Sequence, residues 1–300
     1  MFKNNKGQFR AGWLIIVAFI IMFAGQIILT IPGFIFIFFS QAVVEEGGMS
    51  FEIDASNQMI FLLTNGLGTV GGLIATLVVW RFINKQTFAR MGLRWHGKDL
   101  LFGLLLGAIS ITVIFFILYG AGQVTLLNSL LSPDFSMFTW LFLLLFIAVG
   151  LFEEIFFRGY IISTMASRNN NKVFIYIASA LIFSIIHGTN PNVTIIGLVN
   201  IALVGLLFAY MFDVTKSLWL PIGYHITWNF FQGNVFGFAV SGLAPNGIYQ
   251  LELHEENEIF TGGAFGLEGG LLATILIGVS FIVTYFYGKT SDRKEEPTIW

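Results

Sequence analysis

The sequence predicts an all-α, polytopic integral membrane protein in which about eight transmembrane helices enclose an intramembrane polar cavity. Three observations carry this. The chain is 56% hydrophobic and 11% charged, against roughly 25% charged in an ordinary soluble domain. Its apolar runs recur at lengths near the ~20 residues that a helix needs to cross a bilayer. Its charges are also sorted by loop. With the N-terminus cytoplasmic, Lys3/Lys6/Arg10, the 81–98 connector, Arg168/Lys172, Lys216 and Lys289/Arg293/Lys294 all fall inside, and with Arg158 they are every Lys and Arg in the chain. The opposite loops hold Glu45, Glu46, Glu52, Asp54, Asp134, Glu252, Glu255, Glu256, Glu258 and Glu268 without a base, as the positive-inside rule requires. The expected setting is the cell membrane, with both termini cytoplasmic. The lipid bilayer is then an obligatory partner, and nothing in the sequence suggests nucleic acid.

The first apolar run, residues 11–40, follows a basic start but is too long for a signal-peptide core. It reads as a retained span, tilted or kinked at Pro32-Gly33. The second, 58–80, carries Gly66, Gly68, Gly71 and Gly72, small residues that let membrane helices approach closely. After the basic connector come spans at about 100–121, 137–165, 173–187, 193–212, 218–238 and 266–287. The fourth is overlong and is expected to extend beyond the bilayer. The chain is read as one integral membrane domain, 1–300, with a mobile exterior loop at 241–265 and a cytoplasmic tail at 289–300. Zero cysteines excludes disulfides, thiolate metal sites and cysteine nucleophiles.

Polar residues inside the spans define the candidate site. Glu153, Glu154 and Arg158 follow a run of Leu, Phe, Ile and Val, where an ionised group costs at least ~2.5–3.5 kcal/mol. His187 ends the fifth span; His225 and Asn229 lie four apart in the seventh, on one helix face. Counting from the basic edges puts Glu153 and His187 about 22 Å deep and His225 about 14 Å deep, so the three can meet. Taken singly, each histidine reads as a hydrogen-bonded packing residue, Asn229 as interhelical glue, and Arg158 as an ion-pair partner for Glu154. Five costly groups on three helices are explained together by a single site.

The chemistry open to such a site is narrow. Glu153 as general base with His187 polarises a water, and His225 and Asn229 donate to a developing oxyanion. Alternatively, Glu153, His187 and His225 are three zinc ligands with an open fourth position. The sequence lacks His-Glu-x-x-His, and it shows no serine elbow, phosphate loop or dinucleotide fingerprint; no cofactor is expected unless zinc is used. Hydrolysis needs water at this depth, and a route for it from the cytoplasm would also lower the cost of the carboxylates. A non-enzymatic rival, a transporter or immunity protein using the same buried groups, remains open, although the internal repeat common in transporters is not seen.

Three motifs stand in order: Glu153-Glu154-Ile-Phe-Phe-Arg158, Phe183-Ser-Ile-Ile-His187 and His225-Ile-Thr-Trp-Asn229. They resemble those of the CPBP family, the CAAX proteases and bacteriocin-processing enzymes also called Abi. The resemblance covers about residues 140–231, within a family core at about 137–238. It implies an intramembrane endopeptidase related to the eukaryotic type II CAAX prenyl protease, acting on a membrane-associated or lipidated peptide. In that family the first Glu and first His are taken to activate water and the later His and Asn to form the oxyanion hole. By resemblance these are Glu153, His187, His225 and Asn229, with Glu154 and Arg158 supporting. The family has been labelled both glutamate protease and metalloprotease, and it includes bacteriocin self-immunity proteins.

Overall fold

The computed structural model describes residues 2–40, 42–45, 48–51, 58–243, 245, 247–254 and 258–290. Glu46, Glu52, Asp54, Glu255, Glu256 and the tail beyond Thr290 lie outside the described residues.

A helix stands at each of the eight expected places. Helix α1, Ala11–Ser40, runs unbroken through Pro32, so the first run is one helix. A hairpin, β1 Ala42–Glu45 with β2 Gly48–Phe51, precedes α2, Gln58–Val78, which ends in a wide π-helical turn, Val79–Ile83. Next come α3, Gly97–Gly120, strand β3, Val124–Leu126, and α4, Met137–Glu153. Helix α4 continues as a nine-residue π-helical stretch, Glu154–Ile162, and a last turn, α5, Ser163–Ala166. The overlong fourth run is therefore a single 30-residue rod, Met137–Ala166. Then follow α6, Lys172–His187, α7, Ile195–Thr215, and α8, Trp219–Phe230, which also widens into a π turn, Phe231–Val235. Strand β4, Leu251–Leu253, pairs antiparallel with β3, and short α9, Glu258–Thr261, leads into α10, Leu271–Thr290.

Among the described residues, six helical segments are long and apolar enough to cross a membrane: 11–36, 58–83, 97–120, 137–166, 195–215 and 271–290. Helix α6, with 16 residues, is shorter, and α8 has 12 before its π turn. The chain is a largely helical, multi-pass membrane protein.

The helices divide the molecule into two ends. At one, Arg168 donates to the carbonyl of Phe9, Trp219 to that of Arg94, and Tyr287 to Asp99; the basic connectors gather here. At the other, β3 joins β4, Asn128 donates to the Ile248 carbonyl, and Asn200 to those of Glu268 and Gly270. Far from being a bare loop, the 241–265 stretch contributes β4 and α9 to this end.

Close backbone approach sets the helix pairs around the site. On α2, a Cβ at Gly71 would strike the carbonyl of Gly25 and one at Gly72 the ring of Phe152, whereas Gly66 has no such crowding. The tightest seam joins α3 to α8. A Cβ at Gly103 would strike the Leu220 carbonyl, and one at Gly107 the Tyr224 carbonyl and the Thr227 hydroxyl. This small-xxx-small pair brings α8, which carries His225 and Asn229, flush against α3. Gly107→Leu is expected to destabilise the protein by about 1–3 kcal/mol or more through overpacking, read as a lower Tm in detergent. Gly278→Leu on α10, with nothing within 4 Å of its Cβ position, is the control; equal Tm values for the two variants would refute the seam.

Candidate active site

The site is built where the π-helical stretch begins. Glu153 is the last residue of regular α4 and Glu154 the first of the wide turn. Consecutive helical residues project about 100° apart, so the two carboxylates enter different surroundings. π-Helical insertions of this kind are often found at functional positions.

Glu154 points into the protein. Its Oε1 accepts from Arg158 Nη1 at 2.9 Å, both side chains being fully buried. The same oxygen accepts from His225 Nδ1 at 3.0 Å. The guanidinium of Arg158 lies 4.2 Å from the ring centre of Phe183 and 5.0 Å from that of Phe208, and its Nη2 reaches the carbonyl of Gly205 at 3.4 Å. A desolvated cation–π contact is worth up to about 2 kcal/mol, which helps offset burial of a permanent charge. The sequence-derived ion pair between Glu154 and Arg158 is present, and His225 joins it.

Glu153 points into a pocket. Its Oε2 is 3.9 Å from His187 Nε2 and 3.8 Å from His225 Nε2. Among the described residues that oxygen has no hydrogen-bond partner. The histidine orientations follow from what lies behind them. His187 Nδ1 is 2.8 Å from the carbonyl of Phe183; a carbonyl only accepts, so Nδ1 carries a proton and Nε2 is the ring nitrogen turned towards Glu153. His225 donates through Nδ1 to Glu154 and stacks on Phe208, 5.5 Å between ring centres, which also turns its Nε2 towards Glu153.

The Phe183-x-x-x-His187 spacing thus has two structural uses. The phenyl ring covers Arg158, while its carbonyl, one turn back, fixes the imidazole. Asn229 lies one turn beyond His225 and lines the same pocket, its amide without a hydrogen bond to another described residue. All six residues singled out from sequence converge on this region: Glu153, His187, His225 and Asn229 line the cavity, of about 340 Å³, and Glu154 with Arg158 lies directly behind it.

A second polar cluster lines the opposite wall and was not found in the sequence. Glu268, counted there as a loop acid, is buried at 9% exposure. Its Oε2 accepts from the Gln232 amide, which also donates to the Ala239 carbonyl at 2.5 Å. Ser241 Oγ lies 3.4 Å from its Oε1. Asn200 holds the backbone in place, donating to the Glu268 carbonyl at 2.8 Å. Gln232 follows Asn229 by three residues and His225 by seven, a same-face spacing that could have flagged it. Glu268 stands alone in a glycine-rich stretch with no periodic signal.

Burial pushes the Glu268 carboxyl up to about 7 from an ordinary 4.5. A carboxyl that holds its proton more tightly folded than unfolded makes stability fall as pH rises between those values. Raising the pH from 5 to 7.5 should therefore lower the Tm of the wild type, and Glu268→Gln should flatten that slope. An unchanged slope in the variant would show that Glu268 is not its source.

Residues 135–231, about a third of the chain, match a family model described as Rce1-like, type II CAAX prenyl endopeptidase. No curated protein and no solved structure matches the chain. The matched segment spans α4 to the start of the π turn Phe231–Val235 and contains Glu153, Glu154, Arg158, His187, His225 and Asn229. Over this segment the chain is similar to the type II CAAX prenyl endopeptidases, the Rce1-like family, in keeping with the resemblance carried by its three motifs.

Proposed function

We propose that the protein is an intramembrane endopeptidase that hydrolyses a peptide bond of a membrane-associated or lipidated peptide, using a water activated by Glu153 and His187. The observation that carries this is the placement of Glu153 Oε2, without a hydrogen-bond partner, facing the Nε2 atoms of two oriented histidines at 3.8–3.9 Å. That gap exceeds a hydrogen bond but is spanned by one water oxygen lying ~2.8 Å from each group. Such a water has one proton on the Glu153 carboxylate and the other on His187 Nε2, leaving a lone pair for the scissile carbonyl carbon.

Charge balance supports roles for the remaining groups. Arg158 is permanently charged and is matched by Glu154. The charge on Glu153 then calls for one further cation, and a doubly protonated His225 supplies it while keeping Nδ1 on Glu154. In that form its Nε2–H donates to the oxyanion together with the Asn229 amide. Glu153, carrying the water's proton, passes it to the leaving amine as the carbon–nitrogen bond breaks. Water is thereby divided between the new carboxyl and amine products, and no covalent enzyme intermediate forms.

The zinc reading would use Glu153, His187 and His225. Ligands about 2.0–2.2 Å from a tetrahedral zinc lie roughly 3.3 Å apart, closer than the 3.8–3.9 Å found here. Among the described residues no three such groups are placed to hold a metal. The proposed mechanism uses Glu153 and His187 without a metal, in a cell-membrane protein with both termini cytoplasmic.

Glu153→Gln keeps the shape of the side chain but removes the base, and its cleavage of a membrane-peptide library should fall by at least about 10²–10⁴-fold. Asn229→Ala should lose about 10²–10³-fold in kcat. Full activity in Glu153→Gln, or a wild type that cleaves nothing, would leave the protein as an immunity or transport protein instead. Separately, exhaustive chelation should leave wild-type activity intact; stoichiometric zinc that disappears with His187→Ala would establish the metal reading.

A further inference from the structure

The pocket has a floor and a mouth at opposite ends of the molecule. Among the helices lining it, α1 contributes Met22, Phe23 and Gln26 from mid-helix, and α4 and α7 line it as far as Phe157 and Phe208. Helix α2 contributes Phe61, Asn65 and Thr69 of its first half and α6 its closing residues Ile186 and His187, on the side of the acidic loops. The connecting segments that contribute are Asn190, Val240, Ser241, Leu243 and Glu268, all from that same end. No lining residue comes from 81–98, 167–172 or 213–219, the segments of the basic end. Towards the basic end the chain is tightly filled. Phe156, Tyr160, Ile161, Phe212 and Leu218 are each fully buried, as are Glu154 and Arg158, and they form a floor beneath Glu153. From Glu153 to Met165 at that end is a further ~18 Å of helix. Water entering from the basic side, the cytoplasmic route expected from sequence, would have to cross this packed floor.

Apart from Arg158, every Lys and Arg among the described residues lies at the floor end, and positive loops are retained on the cytoplasmic side. We infer that the site is served from the non-cytoplasmic side, so that its substrate is a peptide segment exposed on that face of the membrane, such as an exported or outward-facing one. The inference rests on the endopeptidase reading for the word substrate, but the side of access does not depend on catalysis. It places hydrolytic water, the incoming peptide and the products in one compartment, and it gives the buried Glu268–Gln232–Ser241 cluster a position beside the entry path, beyond Asn229 along α8.

The cysteine-free sequence allows a direct test in intact cells expressing the full chain. Single-cysteine variants are made at the mouth (Ser241→Cys), on the pocket wall (Asn65→Cys) and on the basic connector (Arg90→Cys), then treated with a membrane-impermeant maleimide. Ser241→Cys and Asn65→Cys are expected to label as fully in intact cells as in permeabilised ones, with Arg90→Cys labelled only after permeabilisation. Failure of either pocket position to label in intact cells, or labelling of Arg90→Cys there, overturns the inference. Since labelling is read without any cleavage, an inactive protein with this pattern would refute the endopeptidase reading and leave the side of access standing.

Discussion

The buried ion pair between Glu154 and Arg158 is the constraint on which the site depends. Isolated in hydrocarbon or packed protein, either charge would cost several kcal/mol. The pair is supported by its surroundings: the Phe183 and Phe208 rings cover the guanidinium, the Gly205 carbonyl accepts from it, and His225 adds a second donor to the carboxylate. Those partners come from α6, α7 and α8. One charge pair on the α4 rod thereby dictates where three other helices must stand, and it orients the imidazole of His225 at the same time.

This explains why residues that read as separate oddities along the chain belong to one structure. Gly205 is small because Arg158 and Ala180 press against it. Phe183 is aromatic because it faces a cation. The seam of Gly103 and Gly107 against α8 sets how deeply His225 can reach. A change at any of these alters the geometry at Glu153 without touching it.

The fold was legible because bilayer length and charge sorting are one-dimensional signals, carried by run length and by the sign of each loop. The site was legible in part because its polar residues violate the surrounding hydrophobicity and recur at helical spacing. Three things were not legible. The π-helical stretches depend on hydrogen bonding that no local composition marks. The cluster at Glu268 joins residues 27 to 68 positions apart, and a lone acid among glycines looks like any loop. The shortness of α8 also could not be read from hydropathy, because its apolar character runs on into the π turn and the residues beyond it, whereas α6 was read close to its observed length.

Adjacent carboxylates on one helix would ordinarily repel, and the ~100° between them is what makes the arrangement workable. Glu154 turns to the filled side, where Arg158 and His225 donate to it. Glu153 turns to the cavity, where its charge lacks a full complement of protein donors. Two donors, Arg158 and His225, converge on Glu154 Oε1, whereas Glu153 Oε2 stands between two imidazoles at the wall of the cavity. A merely structural pair of acids would have no reason to be divided in this way, and the wide turn that begins between them is the local device that divides them.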